Sequence, residues 1–101
     1  RFPQKGYLKP MGHAGGSFFH VFFTATARKD YEAVRDSKLK RGIHRVIEKL
    51  KEDPYQFKQL SGPLAGLRSA KTFSFRVIYR IVARQLIVVV ITIEHRKDVY
   101  R

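Results

Sequence analysis

The 101-residue sequence predicts an α+β domain: an N-terminal strand, a two-helix hairpin and then an antiparallel β-meander, layered as a compact sandwich. Three stretches carry that expectation. "SFFHVFFTATA" alternates aromatic and branched side chains with the period of a strand. "RKDYEAVRDSKLKRGIHRVIEKLKEDP" changes to helical spacing. After "LSGPLAG" the pattern returns to strand alternation and reaches the aliphatic run "LIVVVI".

Residues 1–16 hold two prolines and four glycines and show no period. They read as a flexible lead-in or the remnant of an engineered leader, with Met11 a candidate natural start, and one domain is expected over residues 17–101. In the first strand Phe19, Val21 and Phe23 share one face, and Phe18, His20 and Phe22 the other. Both faces are largely apolar, so the strand is expected to be covered on both sides. His20 reads either as an acid or base, or as a partly buried histidine bonded to a neighbour. Leu39, Ile43, Val46, Ile47 and Leu50 make one helical stripe, while Lys38, Lys40, Arg41, Arg45, Lys49 and Lys51 lie away from it. Tyr31 and Val34 mark a shorter helix ahead, Asp36 or Ser37 caps the second, and Pro54 ends it by disfavouring helical geometry at Asp53. Strands follow at about 67–74, 75–82 and 86–93, with a turn near "ARQ". The last is apolar on both faces, which marks a central strand.

Lys and Arg outnumber Asp and Glu 21 to 8, a formal charge of +13. Such a field attracts polyanions: nucleic acid first, then an acidic protein partner, then an anionic membrane surface. The absence of cysteine excludes a disulfide framework, a thiolate nucleophile and a Cys-based zinc site, and fits a reducing cytoplasm. The aliphatic run is far short of the roughly 20 residues that span a bilayer. "FFHVFF" is too short for a secretory signal and is interrupted by His20.

"FRVIYR" places Arg76 and Arg80 on the strand face of Ile78, opposite Tyr79. Arginines among apolar neighbours need an anion, water or a partner such as Glu94. "HRKDVY" adds cations, an imidazole and a phenol just after the central strand, or forms a solvated cap there. The antiparallel return brings residues beyond Ile93 to the start of the "FRVIY" strand. Arg76 is therefore expected to approach His95, Arg96 and Tyr100, with Arg68 and Lys71 as neighbours and Arg80 and Lys97 adding charge. Such a surface suits a phosphodiester. Arginine clamps phosphate oxygens in pairs, a phenol stacks on a base or moves a proton, and an imidazole titrates near neutrality.

Through "LSGPLAGLRS", "FRVIYRI", "IVVVITIEHRKDVY" and the basic hairpin ahead of them, residues 18–101 resemble the RelE/ParE superfamily of toxins from bacterial and archaeal toxin–antitoxin pairs. The spacing from "RVIY" to "HRKDVY" is the specific part. The resemblance implies a toxin of the RelE branch. Such a toxin would be a cytoplasmic endoribonuclease that uses no metal or other cofactor and cuts messenger RNA, generally in the ribosomal A site. The RNA's own 2′-OH attacks the adjacent phosphorus and leaves a 2′,3′-cyclic phosphate. By similarity Arg76 holds the phosphate, Arg96 stands beside it or the leaving oxygen, and Tyr100 orients the nucleotide. His95 becomes a candidate general acid or base. Arg68 and Lys71 lie where some members carry catalytic lysines. A lysine pair spaced two apart would place a second cation at Ala70, and Lys71, one position off, is expected on the opposite sheet face unless a bulge intervenes. The implied partners are messenger RNA, the ribosome and a cognate antitoxin whose acidic or amphipathic segment lies over the hairpin or sheet edge; no membrane is involved. Two alternatives stand beside this reading. The ParE branch inhibits DNA gyrase by protein contact and tends to lack the arginine, histidine and tyrosine set. A basic module could instead grip RNA or an acidic partner without cleaving.

Overall fold

The computed structural model describes residues 18–95. The first strand, β1 (His20–Phe23), ends where Thr24 turns the chain directly into α1 (Ala25–Ala33). The Thr24 hydroxyl accepts the Ala27 amide at 3.0 Å and donates to the Ile91 carbonyl at 2.7 Å. That cap satisfies an otherwise unpaired helix-terminal amide, so the "TATA" run expected to prolong the strand instead begins a helix. Asp36 caps α2 (Ser37–Glu52), its carboxylate accepting from the Lys38 and Leu39 amides at 2.8 and 3.2 Å. The expected stripe faces inward: Ile43, Val46, Ile47 and Leu50 are buried, and Leu39 packs at the margin. Full burial of a side chain such as Ile43 or Leu50 contributes about 1.5–3 kcal/mol. The helix stops at Asp53, whose amide bonds the Lys49 carbonyl at 2.9 Å before Pro54 opens a 3₁₀ turn.

After that turn come β2 (Lys58–Gln59), β3 (Arg68–Thr72), β4 (Phe75–Val82) and β5 (Ile87–His95). The five-stranded sheet has the order β1-β5-β4-β3-β2. The meander is antiparallel throughout, as expected, while β1 adds to β5 in parallel, a pairing that needs the intervening helices as a crossover. β5 is thus flanked on both sides, which its apolar run anticipated. β1 is an edge strand, and Phe22 on its outer face is 46% exposed, so that face is covered less fully than expected. The two-residue β2 at the opposite edge carries no apolar signal.

Both helices pack on one face of the sheet. The core holds Ala27, Ile43 and Leu50 from the helices against Ala70, Val77, Tyr79, Val88 and Val90. Tyr79 is fully buried, and its phenol donates to the Pro54 carbonyl at 2.6 Å, tying the end of α2 to the middle of the sheet. Burial pushes its pKa up to about 12, partly relieved by the nearby Arg68 charge and reinforced by Asp53. The raised value means that the neutral phenol stabilises the fold below about pH 10, and that this contribution is lost as pH rises toward 12. Tyr79→Phe is expected to cost about 1 kcal/mol at pH 7 through the lost hydrogen bond. It should also flatten the alkaline limb of a urea-melt pH series. An unchanged limb in the variant would mean that another group sets the alkaline limit.

Candidate functional site

Strand register decides which side chains meet. Across β3 and β4 the pairs are Arg68 with Tyr79, Ser69 with Ile78, Ala70 with Val77, Lys71 with Arg76, and Thr72 with Phe75. Paired residues share a face. Tyr79, Val77 and Phe75 belong to the helix-side core, which puts Arg68, Ala70 and Thr72 on that side and Lys71 and Arg76 on the face away from the helices, open among the described residues although Ile78 and Ser69 on it are buried. Between β4 and β5 the pairing runs Ile78 with Thr92 but Tyr79 with Val90, so Ile91 is an extra residue and β5 bulges. A bulge reverses the in–out parity of the residues beyond it. Ile93 therefore enters the core, Glu94 lies opposite Arg76 on the open face, and His95 lies opposite Phe75 on the helix side.

The open face thus carries a row across three strands: Lys71, Arg76 and Glu94. Arg80 lies further along β4. Arg76 is half-buried, while Lys71 and Arg80 are exposed. The ion pairs among the described residues, His44 with Glu48 and Lys51 with Glu48, lie on α2 and leave this face aside. Like charges set directly opposite repel, so the Lys71–Arg76 pair is stabilised by any anion placed between the two heads. A phosphodiester fits that requirement, since the guanidinium can take two oxygens and the ammonium a third.

Other expected members of the site lie elsewhere. His95 is one pair from Arg76 in register but on the opposite face. Its Nε2 stands 3.3 Å from the Ser74 hydroxyl, and its ring meets Phe75 edge-on at 5.0 Å. It borders a depression of about 340 Å³ with Asp30, Ala33, Val34, Phe75 and Ile93. Arg68 is also apart from Arg76: its Nη1 donates to the Tyr55 and Phe57 carbonyls at 3.1 and 2.9 Å, and its guanidinium lies 5.4 Å from the Tyr55 ring centre. It braces the segment between α2 and β2. Arg68→Ala is expected to lower stability by about 1–2 kcal/mol, leaving two carbonyls without their charged donor, and to leave any RNA affinity of the open face intact. Parallel denaturation and RNA-binding titrations check this, and a large affinity loss in a stable variant would return Arg68 to the site. Arg96, Lys97 and Tyr100 lie outside the described residues, as do residues 1–16 of the expected lead-in.

Ala70 is fully buried beneath the helices, so the position expected to carry a second cation has no room for one, and Lys71 occupies the face where Arg76 stands. Sequence reasoning missed Asp30. Its carboxylate accepts the Ile93 amide at 3.0 Å and the Thr92 hydroxyl at 3.3 Å, covering the edge of β5 where β1 has ended. No local pattern marks it, because the contact joins α1 to β5. Among the described residues no group of three or more His, Cys, Asp or Glu could hold a metal ion, and no helix is long and apolar enough to cross a membrane.

Residues 21–100 match a family model described as the ParE toxin of the type II toxin–antitoxin system parDE. The chain is 33% identical over 84 residues to Toxin RelG of Mycobacterium tuberculosis, spanning 82% of this chain and 97% of that protein. Its fold superposes on a chain of the Mycobacterium tuberculosis RelBE2 toxin–antitoxin complex with a TM-score of 0.71 at 30% identity, covering 78% of this chain and 92% of the other. A chain of the intact E. coli RelBE toxin–antitoxin complex has the same fold at 19% identity, with a TM-score of 0.66 and coverage of 78% and 96%.

Proposed function

From the premise that this chain belongs to the RelE/ParE superfamily of toxins from type II toxin–antitoxin systems, we propose that it is a metal-independent endoribonuclease that cuts messenger RNA at the ribosomal A site and so stops translation in the cytoplasm. The observation that carries this reading is the Lys71–Arg76 pair, two cations held side by side on the open sheet face. Cleavage by an internal nucleophile asks little covalent chemistry of the protein. The 2′-oxygen attacks phosphorus, the bond to the 5′-oxygen breaks, one proton leaves the 2′-OH and another reaches the 5′-oxygen. What the protein supplies is positioning, charge for the phosphorane and the two proton transfers.

In this scheme Arg76 holds the non-bridging oxygens as their charge grows, and Lys71 shares it and protonates the leaving 5′-oxygen. Arg80 extends the track for the flanking backbone. The superfamily resemblance assigns Arg96 to the same phosphate and Tyr100 to orienting the nucleotide; in this scheme Tyr100 also takes the proton that leaves the 2′-OH, and Lys97 adds charge for the backbone. His95, on the helix side, supports the strand end that leads into those residues. A cognate antitoxin with an acidic or amphipathic segment would silence the toxin by covering the basic surface, consistent with similarity to chains solved in toxin–antitoxin complexes.

A second reading is gyrase inhibition, favoured by the description of the matching family model as a ParE toxin. One experiment separates them. The purified protein is added to a reconstituted translation system, with and without ribosomes, and breaks in a defined message are mapped by primer extension; in parallel it is titrated into a gyrase supercoiling assay. Ribosome-dependent breaks with gyrase unaffected are the expected result. Gyrase inhibition without RNA breaks would replace the nuclease reading with the second one.

A further inference from the structure

The turn joining β3 to β4 is formed by Phe73 and Ser74, and its geometry is unusual for the residues in it. Phe73 has φ +53°, left-handed space that a bulky side chain rarely enters and that turns usually give to Gly, Asn or Asp. The residue is 51% exposed, yet one edge of its ring is held. A Cβ added at Gly42 of α2 would stand 2.5 Å from Phe73 Cε2, 2.7 Å from Cδ2 and 2.8 Å from Thr72 Oγ1. Lys38 Nζ lies over the ring, 5.9 Å from its centre. Glycine is a poor helix former, so its presence in the buried face of α2 calls for a close neighbour, and Phe73 is that neighbour.

What lies beside the turn gives this contact a purpose. Thr72 pairs with Phe75, and the next pair is Lys71 with Arg76. The ends of hairpins fray most easily, and here two like charges push the strands apart close to the end. We infer that Phe73, seated on Gly42 beneath Lys38, is a positioning residue that clamps the β3–β4 turn to α2 and holds Lys71 and Arg76 at the spacing that lets one phosphate meet both. This rests on the endoribonuclease reading of the open face, while the clamp itself can be measured without it.

The test compares Phe73→Ala, Gly42→Ala and Phe73→Tyr with wild type. Gly42→Ala displaces the ring while improving local helix propensity, so it keeps the experiment interpretable if Phe73→Ala folds poorly. Native-state amide exchange reads the clamp. Affinity for an RNA oligonucleotide carrying an uncleavable 2′-deoxy linkage, with kcat and KM for cleavage, reads its purpose. Phe73→Ala and Gly42→Ala are expected to speed exchange at residues 71–76 by about tenfold, leaving α1 and the centre of β5 unchanged. They should weaken oligonucleotide binding by about tenfold and lower kcat, with Phe73→Tyr restoring all three. Unchanged exchange would overturn the clamp. Faster exchange with binding and kcat intact would overturn the positioning role. Faster exchange in a protein whose wild type neither binds nor cuts RNA would sink the endoribonuclease reading and the positioning role, while leaving the clamp standing.

Discussion

Arg76→Ala is expected to lower messenger RNA cleavage by about 100- to 1,000-fold, the usual cost of removing one group that meets transition-state charge. The side chain is half-buried on an open sheet face, opposite Lys71 on one side and Glu94 on the other. Removing it leaves Lys71 as the nearest cation in the row and gives Glu94 a freer hand to repel the phosphate. Stability should change little, because the side chain lies outside the helix-side core and relief of repulsion against Lys71 offsets lost packing. The check is the rate of ribosome-dependent cleavage by primer extension, run beside a thermal melt. A folded Arg76→Ala protein that cuts at the wild-type rate would remove the open face from the mechanism.

Ala70→Lys is expected to destabilise the protein by at least about 3 kcal/mol, although a cation at that position is what a lysine pair spaced two apart calls for. Ala70 is fully exclusion-packed beneath α2, paired with Val77 and without solvent access. A lysine there must bury an ammonium without a carboxylate partner or force the helix off the sheet, and both are costly. Lys71→Ala, one residue on, should hardly alter stability and should weaken RNA binding and cleavage. Urea denaturation of both variants, with RNA titrations of the folded ones, separates the two faces. A stable and more active Ala70→Lys protein would show that β3 pairs with β4 in a different register.

These contrasts mark how far the sequence could be read. The helical stripe from Leu39 to Leu50, the Asp36 cap and the stop at Pro54 follow from local rules, because the forces that set them act over one or two turns. So do the β4 alternation and the interior placement of β5, where the run of branched residues leaves no polar face to expose. Arg76 stood out for the same reason: a charge amid strand residues has to be explained. The strand expected through "TATA" failed because Thr24 has a distant acceptor, the Ile91 carbonyl, that no window around it contains.

By itself the sequence determined the α+β order, the basic character and the superfamily, since composition, periodicity and motif spacing all lie along the chain. Only the tertiary structure decided which basic and titratable groups share a face. The extra residue at Ile91 reverses the parity of β5, sending His95 to the helix side and Glu94 to Arg76, and the β3–β4 register turns Lys71 outward and Ala70 into the core. A strand's two faces differ by a single residue of register, and that residue is set by contacts between strands and helices far apart in the chain.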